Sequence, residues 1–408
     1  MDRRSLRRLR AQPGYPALVG AATLARVSDE MFPVAAVLLV LERTGSPEVA
    51  GLVLSVSTVP SAITAPLLGA WLDLSRRRRS LLVLDQLVVG GFLLVLIAAV
   101  GHAPDWALVP ISLAGGLTYP LSFGGFTSLV PALVPDELLP PANAIEATSF
   151  NIALVIGPLL AGALAAAFGP AWSVAAEAAL AFAALALIVR VPDVAPPAPA
   201  GHARRLREVV RAGLRRIVAV PGLRAVTAAG AIGLGGVGLL SVAFPLFASE
   251  HLHAPPSAAG FLWAAFAAGS TLGALALVRL QRRVAPTTTV IAGLVAFGAL
   301  MLLWPLAGGL APMLALVAVA ALADGPVLAA QFAVRQQQVE RALHGQVFTT
   351  AAGVKLGAFA IGSALGGPVA SALSSAGALV LAAFAQLAAA GVGAALLRLP
   401  VRSSPAAS

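Results

Sequence analysis

The sequence has no cysteine, only two tyrosines and a single lysine, Lys355. Without cysteine there is no disulfide, no thiolate catalysis and no cysteine metal site. Lys355 is followed by Leu356, so the lysine–serine/threonine pair of a phosphate-binding P-loop is absent. The five histidines, His102, His202, His251, His253 and His344, all fall in predicted loops. A histidine metal site within a membrane span is thereby excluded, and His251 with His253 reads as a plain loop pair rather than a surface metal site. No enzyme motif emerges, and neither a metal nor any other cofactor is expected. Charge is also scarce: 11% of residues are charged, against about 25% in a typical soluble domain.

What is abundant is apolar. Of the 408 residues 59% are hydrophobic, and the mean hydropathy is +0.91. A soluble core cannot hide that much apolar surface, so the chain is predicted to lie in a lipid bilayer. A helical span needs about 20 apolar residues. Candidate spans are 16–41, 49–72, 81–101, 106–130, 143–168, 171–191, 224–248, 258–280, 287–307, 311–334, 346–373 and 377–398. The first is too long for a signal-peptide core, lacks a cleavage site, and reads as a retained span. The short alternating segments of a membrane β-barrel are missing. The expected class is all-α integral membrane, with twelve transmembrane helices.

The net charge of +10 does not mark a nucleic-acid binder, because the arginines sit between apolar segments and not on one soluble face. Apart from Arg26, Arg43 and Lys355, all 27 basic residues fall in one alternate set of loops. The positive-inside rule makes that set cytoplasmic, with both termini inside. The loop at Asp136 and Glu137 carries no basic residue and has no such support. Residues 192–222 form the one long polar connection. Their second part, RRLREVVRAGLRRIVAV, places Leu206, Val209, Val210, Leu214, Ile217 and Val218 on one helical face. It reads as a helix on the inner membrane surface. The predicted organisation is an N-terminal six-helix bundle (1–191), a cytoplasmic linker (192–222) and a C-terminal six-helix bundle (223–408).

The halves repeat. GAWLDLSRRRR begins at Gly69 and GALALVRLQRR at Gly273, an offset of 204 residues. GPLLAG begins at Gly157 and GSALGG at Gly362, an offset of 205. Two landmarks with nearly one offset mark a duplication, as found in secondary transporters. Here the chain resembles the major facilitator superfamily. One family signature, between spans two and three, is matched by Gly69, Asp73, Arg77 and Arg78. A second, in span five of exporters, is matched by Gly157, Pro158 and Gly162. The arginine that many proton-coupled drug exporters carry in span four is missing from 106–130. The resemblance is to the bacterial drug and siderophore exporter branch. It implies a monomer in the bacterial inner membrane that moves a small, amphipathic organic molecule by alternating access, with the proton as coupling ion. A uniporter or importer of a sugar or metabolite, and a membrane sensor or scaffold that moves nothing, are the alternatives.

Ionisable residues within spans are costly and therefore informative. Arg26, Asp29 and Glu30 lie mid-span, and spacings of three and four put both acids on the arginine's face. One arginine cannot neutralise two carboxylates, which leaves an acid able to exchange a proton. Asp324 and Lys355 lie deep in spans ten and eleven at similar expected depth, and are predicted to pair. These five are the coupling candidates. Glu177, nearer the outer surface, reads as structural. Asp85 and Glu146 lie near the cytoplasmic ends, within expected reach of Arg76 to Arg79. With Gly69, Asp73, Arg77 and Arg78 they form the expected cytoplasmic gate. Gly157, Pro158 and Gly162 are expected to bend span five and let it pack closely. Gln331 and Gln386 are read as packing groups.

The orientation has a direct test. A cysteine placed at Ser46 is expected to react with an impermeant thiol reagent from outside, and one at Ser80 only after permeabilisation; the reverse pattern would invert the topology.

Overall fold

The computed structural model describes residues 3–75, 77–193, 214–276, 284–339 and 344–399. Every predicted span falls mostly on helix where it is described. Hydrocarbon offers the backbone no hydrogen bonds, and a helix supplies its own. The first part of the chain forms α1 (Arg3–Arg10), α2 (Tyr15–Thr44), α3 (Pro47–Leu74) and α4 (Arg78–Ala99). The fourth span is broken: α5 (Asp105–Gly116) and α6 (Phe126–Leu133) flank a π turn, Leu121–Gly125. Then come α7 (Leu139–Phe168) and α8 (Pro170–Ile188). The second part forms α9 (Pro221–Glu250), α10 (Ala258–Ala276), α11 (Pro286–Met301), α12 (Leu310–Gln338) and α13 (His344–Arg398). α13 comprises two spans divided at Ser374, where φ is 69°. Eight described helical stretches are long and apolar enough to cross a membrane by composition alone.

The turns are tight. α2 ends at Gly45, whose φ of 66° is left-handed and whose N–H returns to the Leu41 carbonyl at 3.0 Å. Glycine holds that conformation without a Cβ penalty, so α3 begins two residues later.

The chain divides into two compact units, residues 1–45 with 56–203, and residues 46–55 with 204–408. The first has a core of Leu18, Leu82, Phe126 and Ile188, all under 2% exposed. Arg8 of α1 reaches Glu137 at 3.3 Å, which puts the loop without basic residues on the same side as the N-terminal helix. In the second unit Phe244 stands 5.3 Å from Trp263 and 5.7 Å from Trp304, ring to ring. Such pairs add to the burial energy of large side chains. Residues 46–55, the start of α3, pack within this unit, where Glu48 accepts a hydrogen bond from Ser371. Large apolar side chains such as Leu275 and Ile361 stand exposed, as expected of helices whose outer solvent is lipid.

Most of the linker lies outside the described residues. Its last turns depart from a purely interfacial helix: Ile217 is buried against Leu223 and Val226, and Arg216 donates to the Gln338 carbonyl at 3.4 Å. Leu214 and Val218 stay exposed.

The duplication extends to packing. A Cβ on Gly157 would meet Glu30 of α2, and one on Gly362 would overlap Gly235 of α9. Both partners, like both glycines, are 205 residues apart. Small residues let these helices touch backbone to backbone. Gly273 likewise lies against the Leu322 carbonyl of α12, whereas Gly391 faces open space. Gly273→Ala is therefore expected to destabilise the protein by about 1–3 kcal/mol, and Gly391→Ala to be neutral or slightly stabilising. Melting temperatures in detergent check both, and equal shifts would contradict the packing.

Candidate functional site

The ionisable residues gather at two places, one in each unit. In the first, Arg26 is fully buried. The expected contact with Asp29 and Glu30 gives way to a contact across helices. The guanidinium is ion-paired with Glu146 of α7 and donates to Ser149 at 3.0 Å and Thr127 at 3.3 Å. Its Cζ lies 3.7 Å from the Phe150 ring centroid. Thr127 also donates to Glu146, at 2.7 Å. Glu146, Ser149 and Phe150 are three and four residues apart on α7, so one helix face supplies anion, hydroxyl and aromatic ring together. At full burial a charge needs such a set of partners, and neighbours on its own helix cannot supply it. Glu146 thus belongs to this knot and not to the arginine-rich loop.

With Arg26 so engaged, a group of acids remains. Asp29 and Glu177 are almost fully buried, and Asp85 fully so; Glu30 is partly exposed. Among the described residues none of the four makes an ion pair. Asp85 accepts from Ser122 at 2.8 Å and from Gln86 at 2.8 Å. Asp29 lies within electrostatic range of Asp85, Glu30 and Arg26, and beside the Ser122 hydroxyl. One oxygen each of Asp29, Asp85 and Glu177 has no hydrogen-bond partner. Ser122, from the π turn, thus stands between acids of α2 and α4. Glu177, read from sequence as structural, lies within the electrostatic reach of Asp29, and its carbonyl accepts from Ser28 at 3.1 Å. Its apolar surroundings in α8 gave no sign of this partnership, which depends on how α8 is rotated against α2.

The second place is a cavity of about 150 Å³ within the second unit, with Asp324, Gln331, Lys355 and Gln386 in its wall. The expected Asp324–Lys355 ion pair does not form. Lys355 donates to the Gln331 side-chain oxygen at 3.0 Å, and Asp324 accepts from Ser270 at 3.2 Å. Asp324 and Gln331 are seven residues apart on α12, so Lys355 meets that helix roughly 10.5 Å further along than an ion pair would need. The two charges face one cavity without touching. Gln331 and Gln386, read as packing groups, are part of its polar wall.

Of the expected gate, the surroundings of Gly69, the side chain of Asp73 and the whole of Arg76 lie outside what is described. Arg77 is exposed, while Arg78 is buried and reaches the Ser128 carbonyl at 3.5 Å. Asp85, in α4, is bonded to Ser122 and Gln86. Gly157 and Pro158 are buried in α7, as is Gly162, and Gly157 is the point where α7 touches α2 at Glu30.

A family model described as transmembrane secretion effector matches residues 12–408. The chain belongs to that family, within the major facilitator superfamily. An uncharacterized MFS-type transporter, y4rN, of Sinorhizobium fredii is 28% identical over 376 residues, 90% of each chain. The enterobactin exporter EntS of Escherichia coli is 28% identical over 384 residues, 90% of this chain and 89% of that one. The fold is similar to that of a bacterial homologue of the lysosomal transporter Spinster in an inward-facing, unoccupied conformation, with a TM-score of 0.71 at 18% identity over 96% and 98% of the two chains. It is also similar to that of the nucleoside transporter NupG, with a TM-score of 0.71 at 14% identity over 93% and 99%. The protein is therefore a multi-pass membrane transporter and not an enzyme.

The Arg26–Glu146 pair is testable by double-mutant cycle. Arg26→Met leaves a carboxylate buried without its cation and is expected to cost about 3–5 kcal/mol of stability. Adding Glu146→Gln should recover part of that loss. Strictly additive melting-temperature shifts would show that the two do not interact.

Proposed function

We propose that this transporter is a proton-coupled exporter of a small amphipathic organic compound, working as a monomer by alternating access. The observation that carries the reading is the set of acids Asp29, Glu30, Asp85 and Glu177, which lie at membrane depth and make no ion pair among the described residues, while Arg26 is ion-paired with Glu146. A buried carboxyl group without a counter-charge suits binding and release of a proton as access alternates. Asp29 and Glu30 are the primary coupling groups. Asp85, linked to Asp29 through Ser122, is the next acid along α4. Few charges elsewhere in the spans suit a cargo that is largely apolar. Efflux is supported by the likeness to EntS, an enterobactin exporter by name. The arginine-rich side, with both termini, is taken as cytoplasmic. Gly69, Asp73, Arg77 and Arg78 are taken as the latch on that side.

Reconstitution in liposomes with an imposed proton gradient tests the coupling. Asp29→Asn and Glu30→Gln are each expected to abolish uphill export while leaving the melting temperature within a few degrees of wild type. If both single variants keep full gradient-driven flux, α2 is not the proton site. Flux that ignores the gradient altogether would make the protein a uniporter.

A further inference from the structure

The cavity of the second unit has the chemistry of a binding site. Its walls are mostly apolar, and Phe266 contributes an aromatic face. Two glycines make room for its amides. A Cβ on Gly230 would meet the Gln331 amide at 3.0 Å, and one on Gly233 would meet the Gln386 oxygen at 2.8 Å. The Gln386 amide donates to the Gly233 carbonyl at 2.8 Å, so this part of the wall is rigid. Gln331 in turn positions the Lys355 ammonium. An ammonium has three donors, and one is used by Gln331.

The local charge does not balance. Among the described residues, Arg335 and Asp324 are the charged groups that act on Lys355. Two cations against one carboxylate leave a surplus positive charge. Asp324 is engaged by Ser270 and does not reach Lys355. A surplus charge at membrane depth is expensive unless something neutralises it. Size sets the second limit: an apolar cavity of about 150 Å³ holds one benzene ring, and this cavity is of that size.

We propose that this cavity is the subsite for a ring-sized, anionic group of the cargo, an aromatic acid held by the Lys355 ammonium with its ring against Phe266. The proposal names the cargo chemistry of the same transporter and so rests on the transport reading. Asp324, at the other end of the wall, turns away a second acid and accepts a hydroxyl or amine hydrogen from the same group. The rest of a larger cargo lies outside the cavity.

The test uses the full chain in lipid nanodiscs and four small probes: benzoate, benzyl alcohol, benzylamine and acetate. By calorimetry, benzoate is expected to bind about tenfold tighter than each of the others, because it alone has both ring and anion. Lys355→Gln should remove that preference and Lys355→Arg should keep it. A second measurement needs no variant. Lys355 is the only lysine, so reductive methylation followed by peptide mapping reads this one ε-amine. Saturating benzoate should slow its modification several-fold, and acetate should not. Equal affinity for benzoate and benzyl alcohol, an undiminished benzoate preference in Lys355→Gln, or unprotected Lys355 would each overturn the subsite. The transport reading fails separately: benzoate binding without gradient-driven flux would leave the subsite standing, and flux without benzoate preference would leave the transporter standing.

Discussion

Hydrocarbon gives a polar group nothing to bond to, and most of what distinguishes this chain follows from that. The backbone answers with helices. Buried side chains answer with local sets of partners, of which the set around Arg26 is the most complete. Glu146 neutralises the charge, Ser149 and Thr127 take further N–H groups, and Phe150 covers one face of the guanidinium. No part of that set is dispensable in a medium where an orphaned charge costs several kcal/mol. Because the set binds α2 to α7 and to α6, it also decides which acids are left over. Asp29, Asp85 and Glu177, which form no ion pair among the described residues, are the remainder after Arg26 has paired with Glu146.

The two units share a scaffold and differ in chemistry. The offset of 205 residues that carries Gly157 onto Gly362 also carries Glu30 onto Gly235, Phe150 onto Lys355 and Tyr119 onto Asp324. Backbone contact between the first and fifth helices of each unit is retained on both sides. Charge is not. The first unit concentrates acids, while the second holds a cavity with one lysine and one aspartate in its wall. On the proposed roles, the two units put one common scaffold to different uses, proton exchange in the first and cargo binding in the second.

The helices were legible because period, length and loop charge are local properties. The repeat was legible because glycines at close contacts cannot drift without a clash, as Gly157 and Gly362 illustrate. Partnerships between side chains were less legible. Spacing along α2 pointed Arg26 at Asp29 and Glu30, yet the deciding carboxylate came from 120 residues away. Depth counted from span ends put Asp324 level with Lys355, but the lysine side chain bonds Gln331, seven residues further along the same helix. Glu177 passed as structural because its role depends on helix rotation, to which a uniformly apolar span gives no clue. Each miss is a question of rotation or axial offset between neighbours, and neither quantity is written in one helix alone.

The Arg26 knot has a consequence for how the protein is made. α2 is apolar along most of its length but carries Arg26, Asp29 and Glu30 in its middle, and it precedes α7 in the chain. Glu146 is synthesised 120 residues after Arg26. At about 5–20 residues per second that is a delay on the order of 6–24 s. Throughout it the first span carries an arginine and two acids with no interhelical partner. Each of those groups opposes insertion by about 2.5–3.5 kcal/mol at mid-membrane. The knot that ties α2 to α7 in the folded unit thus closes only after most of the first unit has been made, so the order of synthesis sets the order in which these charges find partners.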